Sequence, residues 1–211
     1  MAPNIITRLQ WRYATKKFDT SKKLKAEKLS VLKQSFNLTA TSYGLQPLKM
    51  LVISDRKIKE QLVPHTMDQP QVADAPYVLV LCTETKVNAG YIRNYFEKVK
   101  KTRNTPDEIL KPFELFLVEH FSNKTDEEIN QWTAKQAYLA MGNLLTVCAL
   151  EKIDACPIEG FEPEKYDSLL KLKQKGLRAI LVLAVGHRAE DDLFKDLEKV
   201  RRGVENVVIE M

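Results

Sequence analysis

Cations at two distant places and one short glycine turn are the residues of this chain best suited to chemistry. Arg12 and Lys16 stand at i and i+4 around the end of a first helix. Arg offers a planar donor fork matched to phosphate and Lys a point charge, so the pair reads either as an anion grip or as solvated helix-end cations favoured by the macrodipole. Lys199 and Arg201 follow near the C-terminus and, on spacing alone, are surface charges. Cys156-Pro157-Ile158-Glu159-Gly160-Phe161 reads as a Pro-bounded turn joining a long apolar helix to a second helix. Its Gly160 leaves main-chain N–H groups free to approach a flat ligand edge. Gln136, a long amide on an otherwise apolar stretch, must find partners and is either a structural node or a group beside a ligand.

Other chemistries lack their residues. The seven Gly form neither GxGxxG nor a Walker loop, so any phosphate must be held by side chains. His65, His120 and His187 are too scattered for a metal-binding helix, the three Cys show no CxxC or disulfide spacing, and no GxSxG is present. No metal site is expected. Cys82, in an apolar strand, and Cys148, on an apolar helix face, read as core packing. The formal charge of +5, from 33 Lys plus Arg against 28 Asp plus Glu, suits small phosphate-bearing molecules as well as nucleic acid. No apolar run reaches the roughly 20 residues of a membrane helix and no leader is visible, so a cytoplasmic protein is expected.

The elements that must position these residues follow from periodicity. Helices are expected near Ile5 to Trp11, Ala26 to Phe36, Lys57 to Leu62, Asn88 to Lys101 and Asp107 to Phe121. The last of these takes Thr105 as N-cap and a capping box to Glu108, with Pro112 kinking or splitting it. Strands are expected at Lys49 to Ile53, Tyr77 to Cys82 and Ala179 to Val185, and the tail from Val204 to Ile209 is strand-like. A Thr125–Glu128 capping box opens the central helix, which carries no charged residue from Gln136 to Leu150. Such a helix must be buried all round, by its own sheet on one side and a second subunit on the other. With no linker or repeat, residues 1–211 are read as a single domain.

Arg12-Tyr13-Ala14-Thr15-Lys16-Lys17-Phe18, Leu45-Gln46-Pro47, Lys135-Gln136-Ala137-Tyr138, the Cys156 to Phe161 turn and Lys199-Val200-Arg201, in that order, resemble the nitroreductase family of FMN-dependent NAD(P)H oxidoreductases. Nearly the whole chain is covered. The resemblance implies an α+β fold, a mainly antiparallel sheet flanked by helices, in an intertwined homodimer whose C-terminal strands are exchanged. It further implies that Arg12 grips the FMN phosphate, that Lys199 and Arg201 form a second phosphate clamp, and that Lys16 lies by the pyrimidine edge and stabilises developing charge. Pro157, Ile158, Glu159 and Gly160 would line the flavin, with the Glu159 N–H aimed at N5. Thr41, Ser42 and Gly44 belong to the segment through which the partner covers the flavin. Asp68 and Gln71 belong to the segment that meets the ribityl and pyrimidine groups.

Departures are visible too. Tyr13 and Ala14 stand where His and Ser are frequent, Gly44 where Asn is, Leu48 where Trp is, and Asp68 where Asn is usual. An ionised Asp68 opposes negative charge on a reduced flavin. The acceptor face is expected to be shaped by Phe113, Phe116 or Phe121. The activity implied is reduction of nitroaromatics, quinones or similar planar small molecules with NADH or NADPH, by ping-pong hydride transfer and without nucleic acid or membrane partners. The alternatives are a flavoprotein of the same fold that reduces enoates or dehydrogenates, and a basic non-catalytic nucleic-acid-binding module.

Overall fold

Strands that are apolar without alternation need cover on both faces. In the computed structural model, which describes residues 4–211, helices supply that cover on either side of one sheet. In chain order the elements are α1 (Ile5–Trp11), α2 (Ala26–Asn37), β1 (Leu48–Ile53), α3 (Arg56–Leu62), α4 (Gln71–Asp74), β2 (Tyr77–Glu84), α5 (Ala89–Arg103), α6 (Asp107–Ser122), α7 (Asp126–Leu150), β3 (Asp154–Ile158), α8 (Pro163–Leu169) and β4 (Leu177–Gly186). The sheet order is β1-β2-β4-β3, and every pairing is antiparallel. On one face Val78, Val80, Val182, Ala184, Cys156 and Ile158 pack with Leu62, Val72 and Tyr166. On the other, Leu79, Leu81, Leu181, Leu183 and Ala155 meet Leu32 of α2 and Ala137, Ala140, Met141 and Leu144 of α7. Cys82, Cys148 and Cys156 are free and buried.

The sequence expectations need correction at several places. The Cys156 stretch is not a turn between helices: Asp154–Ile158 is a fourth strand, and the turn begins only at Glu159. Pro157 is tolerated because β3 lies at the sheet edge, where a missing N–H breaks no ladder. In α6 it is Pro106 that takes the extended N-cap conformation, with φ −61 and ψ 151, so Thr105 falls one residue outside and no capping box forms. Pro112 does not split that helix. It lies in the second turn, where its absent N–H forfeits a single bond. The Thr125–Glu128 box at the start of α7 does form.

α7 is not covered all round in the single chain. Its sheet-facing side is closed, but Tyr138 is 47% and Leu139 54% exposed, and Gly142 beside them is open as well. The tail is not a strand either: Val204–Asn206 forms a 3-10 turn and residues 201–211 are exposed. A terminal strand exists only where an edge pairs with it, and the outer side of β3 is already bridged by Ala14.

Candidate functional site

α1 stops at Trp11 because Arg12 turns extended, with φ −71 and ψ 142. The next residues run along the open edge of β3. Ala14 bridges Ala155 in parallel, the Thr15 N–H donates to the Ala155 carbonyl at 3.2 Å, and the Asp19 N–H reaches the His187 carbonyl at 2.8 Å. This sheet edge fixes where Arg12 and Lys16 stand. The C-terminal segment returns to the same place, where the Lys199 ammonium donates to the Arg12 carbonyl. The result is a cleft of about 350 Å³ whose lining includes Arg12, Tyr13, Lys16, Glu198, Lys199 and Arg201. Residues nearly two hundred positions apart in sequence thus meet in one cleft.

The charges in this cleft are not neutralised from within. Among the described residues, none of Arg12, Lys16, Lys199 and Arg201 forms an ion pair with a carboxylate. Burial and then the charge of Arg201 lower the Arg12 pKa. Burial, followed by Arg12, Arg201 and Arg188, lowers that of Lys199. Desolvated cations that repel one another form a site in deficit of negative charge.

Two buried acids that sequence reasoning missed hold the frame. Asp192 accepts from the Tyr13 hydroxyl at 2.9 Å and from the N–H groups of Lys16 and Lys17 at 2.9 and 3.1 Å. Burial alone pushes its carboxyl up, but the bonds from Phe194, Lys17, Tyr13 and Lys16 outweigh that and hold it below the usual range. Asp154 binds Arg188, whose guanidinium carbon lies 4.4 Å from the Trp11 ring centroid and 4.5 Å from that of Tyr13. Tyr13, expected at the cofactor, spends its hydroxyl on Asp192 and its ring on Arg188. Burial and that hydrogen bond raise its pKa. Nothing local in Glu190-Asp191-Asp192 distinguishes the buried acid from its solvated neighbours; only the returning N-terminal segment does.

Past the end of β3, Glu159 and Gly160 carry N–H groups that donate to no other group among the described residues. The Glu159 carboxylate accepts from the Tyr138 hydroxyl of α7, a contact the sequence reading did not foresee. A Cβ on Gly160 would lie 3.0 Å from the sulfur of the exposed Met67, which would have to shift aside. Gln69 donates to the Gly160 carbonyl at 3.3 Å and accepts from Gln71 at 2.7 Å, and Gln71, 3% exposed, also faces the Cys156 sulfur. Gln71 is therefore tied through Gln69 to the Gly160 turn. Asp68 sits in a left-handed turn with φ +53, exposed and without a hydrogen bond among the described residues. Its side chain makes no hydrogen bond to the Gln69–Gln71 pair.

Thr41, Ser42 and Gly44 do not join the cationic cleft of their own chain. Thr41 and Gly44 line a separate hollow with Gln46, Tyr95 and Lys98. Gln136 is the structural node of this loop, accepting from the Ser42 N–H at 2.8 Å and donating to the Trp132 carbonyl at 3.0 Å. Gly44 has φ +69, and a Cβ there would fall 2.4 Å from the Tyr95 hydroxyl oxygen, which accounts for glycine at this position. Phe121 is core, at 2% exposure, whereas Phe113 and Phe116 stack 6.1 Å apart on an open face of α6. Only the latter two remain available to shape an acceptor face.

Comparison with known proteins adds three findings. The sequence profile of the nitroreductase family matches residues 9–187. An oxygen-insensitive NAD(P)H nitroreductase of Salmonella typhimurium is 31% identical over 210 residues, covering 95% of this chain and 96% of that protein. Among solved structures, a nitroreductase family protein of Streptococcus pneumoniae gives a TM-score of 0.82 at 23% identity over 99% of this chain and 100% of its own. A protein of Exiguobacterium sibiricum, assigned as a nitroreductase and crystallised in complex with FMN, gives 0.84 at 18% identity over 100% and 99%. At these identities the structures establish a shared fold.

Proposed function

The chain belongs to the nitroreductase family, and from that premise we propose that it is an FMN-dependent NAD(P)H oxidoreductase reducing nitroaromatics, quinones or similar planar acceptors in a two-electron ping-pong cycle. Its 211 residues serve as one domain, two copies form the working homodimer, and the enzyme acts in the cytoplasm on small molecules. No helix among the described residues is long and apolar enough to cross a membrane. The observation that carries the reading is the convergence of Arg12, Lys199 and Arg201, without an ion pair among the described residues, in one cleft.

These residues fit the cofactor on their own chemistry. A phosphate dianion offsets the repulsion among these cations that, after burial, lowers the Arg12 and Lys199 pKa values. Glu159 and Gly160 offer backbone donors to a flavin edge, and the small Gly160 lets it come close. When bound, FMN supplies the hydride chemistry, accepting from NAD(P)H and giving to the acceptor. Arg12, Lys199 and Arg201 would hold the phosphate. Lys16, exposed and unpaired, would stabilise negative charge at the pyrimidine side, and the Glu159 N–H would orient the N5 edge. Tyr138, by holding the Glu159 carboxylate, keeps that turn in place.

The dimer rests on what one chain leaves open. The uncharged face of α7 around Tyr138 and Leu139 needs cover, and Thr41 to Gly44 reach a cleft of this type only from a second copy. The test is an absorption spectrum of the purified protein, then NADH and NADPH oxidation with a nitroaromatic and a quinone. A flavin spectrum with turnover and parallel initial-rate lines is expected. Protein that remains colourless after incubation with FMN refutes the reading, and intersecting lines refute the ping-pong cycle.

A further inference from the structure

We propose that Asp192 is the positioning residue of the phosphate clamp, fastening the segment that carries Arg12 and Lys16 to the one that carries Lys199 and Arg201. The inference rests on the FMN reading above. Asp192 is 2% exposed, and its Oδ2 takes the Tyr13 hydroxyl and the N–H groups of Lys16 and Lys17, while its Oδ1 takes the Phe194 N–H at 3.0 Å. One carboxylate therefore joins backbone from both halves of the clamp. Beyond it, every residue to Met211 is exposed except the half-buried Lys199, and the only regular structure is the short turn at Val204–Asn206. Asp192 is the last buried residue before the two cations.

The tail is tied back to the N-terminal segment at few points. Lys199 reaches the Arg12 carbonyl, and the Lys17–Asp191 ion pair, with side chains 55% and 68% exposed, contributes little. The Asp192 carboxylate is the buried attachment, and its acceptors suit three N–H donors and a hydroxyl. An Asn there would keep the volume, lose the charge and turn an NH₂ toward a donor.

The sign of the effect separates positioning from bare electrostatics. Asp192 is an anion beside a cationic cleft, so removing its charge without moving anything would strengthen phosphate binding. Loss of positioning weakens it. Riboflavin, which shares the ring and ribityl chain but lacks the phosphate, reports on every part of the site except the clamp.

The experiment is a fluorescence titration of full-length parent, Asp192→Asn and Tyr13→Phe with FMN and with riboflavin, the FMN arm repeated over a range of salt. For Asp192→Asn, FMN affinity is expected to fall about tenfold or more, the size of one charge-assisted bond, with riboflavin affinity, which involves Lys16 but not Arg12, Lys199 or Arg201, falling by much less and the salt dependence of FMN binding flattened. Tyr13→Phe removes one donor and shifts FMN in the same direction by less, which keeps the proposal testable if Asp192→Asn shows a lost far-ultraviolet dichroism spectrum. Equal losses for both flavins, an unchanged salt dependence, or unchanged or tighter FMN binding overturn the proposal. A parent that binds neither flavin overturns the cofactor reading itself.

Discussion

Replacing Arg12 by Ala separates a residue kept for binding from one kept for folding. The guanidinium is half-buried, without a carboxylate partner, and repelled by Arg201, so it does little for the flavin-free fold. Its backbone carbonyl, which holds Lys199, survives the substitution. The stability of the flavin-free variant should therefore stay within about 1 kcal/mol of the parent, because only the stem's packing is lost. Toward FMN the loss is larger: one charge-assisted hydrogen bond is worth roughly 1.5 to 3 kcal/mol, which raises the dissociation constant about tenfold to a hundredfold. At a fixed excess of FMN, that change removes about 1.4 to 2.7 kcal/mol of ligand-linked stability. Fluorescence titration gives the first quantity, and urea unfolding with and without FMN gives the second. Equal FMN affinity in variant and parent refutes the assignment. A flavin-free variant that loses as much stability as the loaded one makes Arg12 structural.

Lys16→Met should slow NAD(P)H-driven flavin reduction in stopped-flow by about tenfold to a hundredfold while leaving donor binding nearly intact, since its charge acts as the ring gains electrons; an unchanged rate removes Lys16 from that role. Deleting Val204 to Met211, which takes away Val204, Val207, Val208 and Ile209, all exposed in the single chain, should dissociate or aggregate the protein and shed flavin. A flavin-loaded monomer in sedimentation contradicts the strand exchange. Burial raises the pKa of all three thiols, to about 12 for Cys82 and Cys148, so none should react with a thiol reagent until denaturant is added. Rapid labelling of folded protein would show the core to be looser than described. Gly44→Ala should cost about 1 to 3 kcal/mol in urea unfolding, through its φ of +69 and the 2.4 Å approach to Tyr95; a neutral result means that the loop relaxes freely.

Elements whose identity is written in local periodicity were legible from the residues. α2, α7 and the doubly covered strands β2 and β4 follow from apolar spacing, and the Thr125–Glu128 box marks the start of α7. β3 was not legible, because five residues containing Pro157 carry no alternation, and what makes them a strand is the register of Ala155 against Val185 and Pro157 against Leu183. The tail has strand composition but pairs with no edge of its own chain. Within the site, Arg12, Lys199 and Arg201 were found through ordered motifs, not spacing. Asp192, Arg188 and Tyr138 were missed because each acquires its role only through a partner far away in sequence.

Tyr13 shows how a departure from the family pattern is absorbed. Where the resemblance leads to a His, this chain puts a ring and a hydroxyl, and although the residue lines the cleft, its hydroxyl goes to Asp192 and its ring to Arg188. Its ring and that of Trp11 both lie against the Arg188 guanidinium, each contact worth about 0.5 to 2 kcal/mol. Arg188 is itself fixed by the buried Asp154 at the start of β3, so the end of α1 is fastened to the ends of both β3 and β4. Arg12 lies between the two clasping aromatics, in extended backbone where neighbouring side chains alternate in direction. Holding residues 11 and 13 against Arg188 thereby leaves Arg12 for the cleft. The Tyr13 hydroxyl in turn engages Asp192, which also takes the Phe194 N–H of the C-terminal segment.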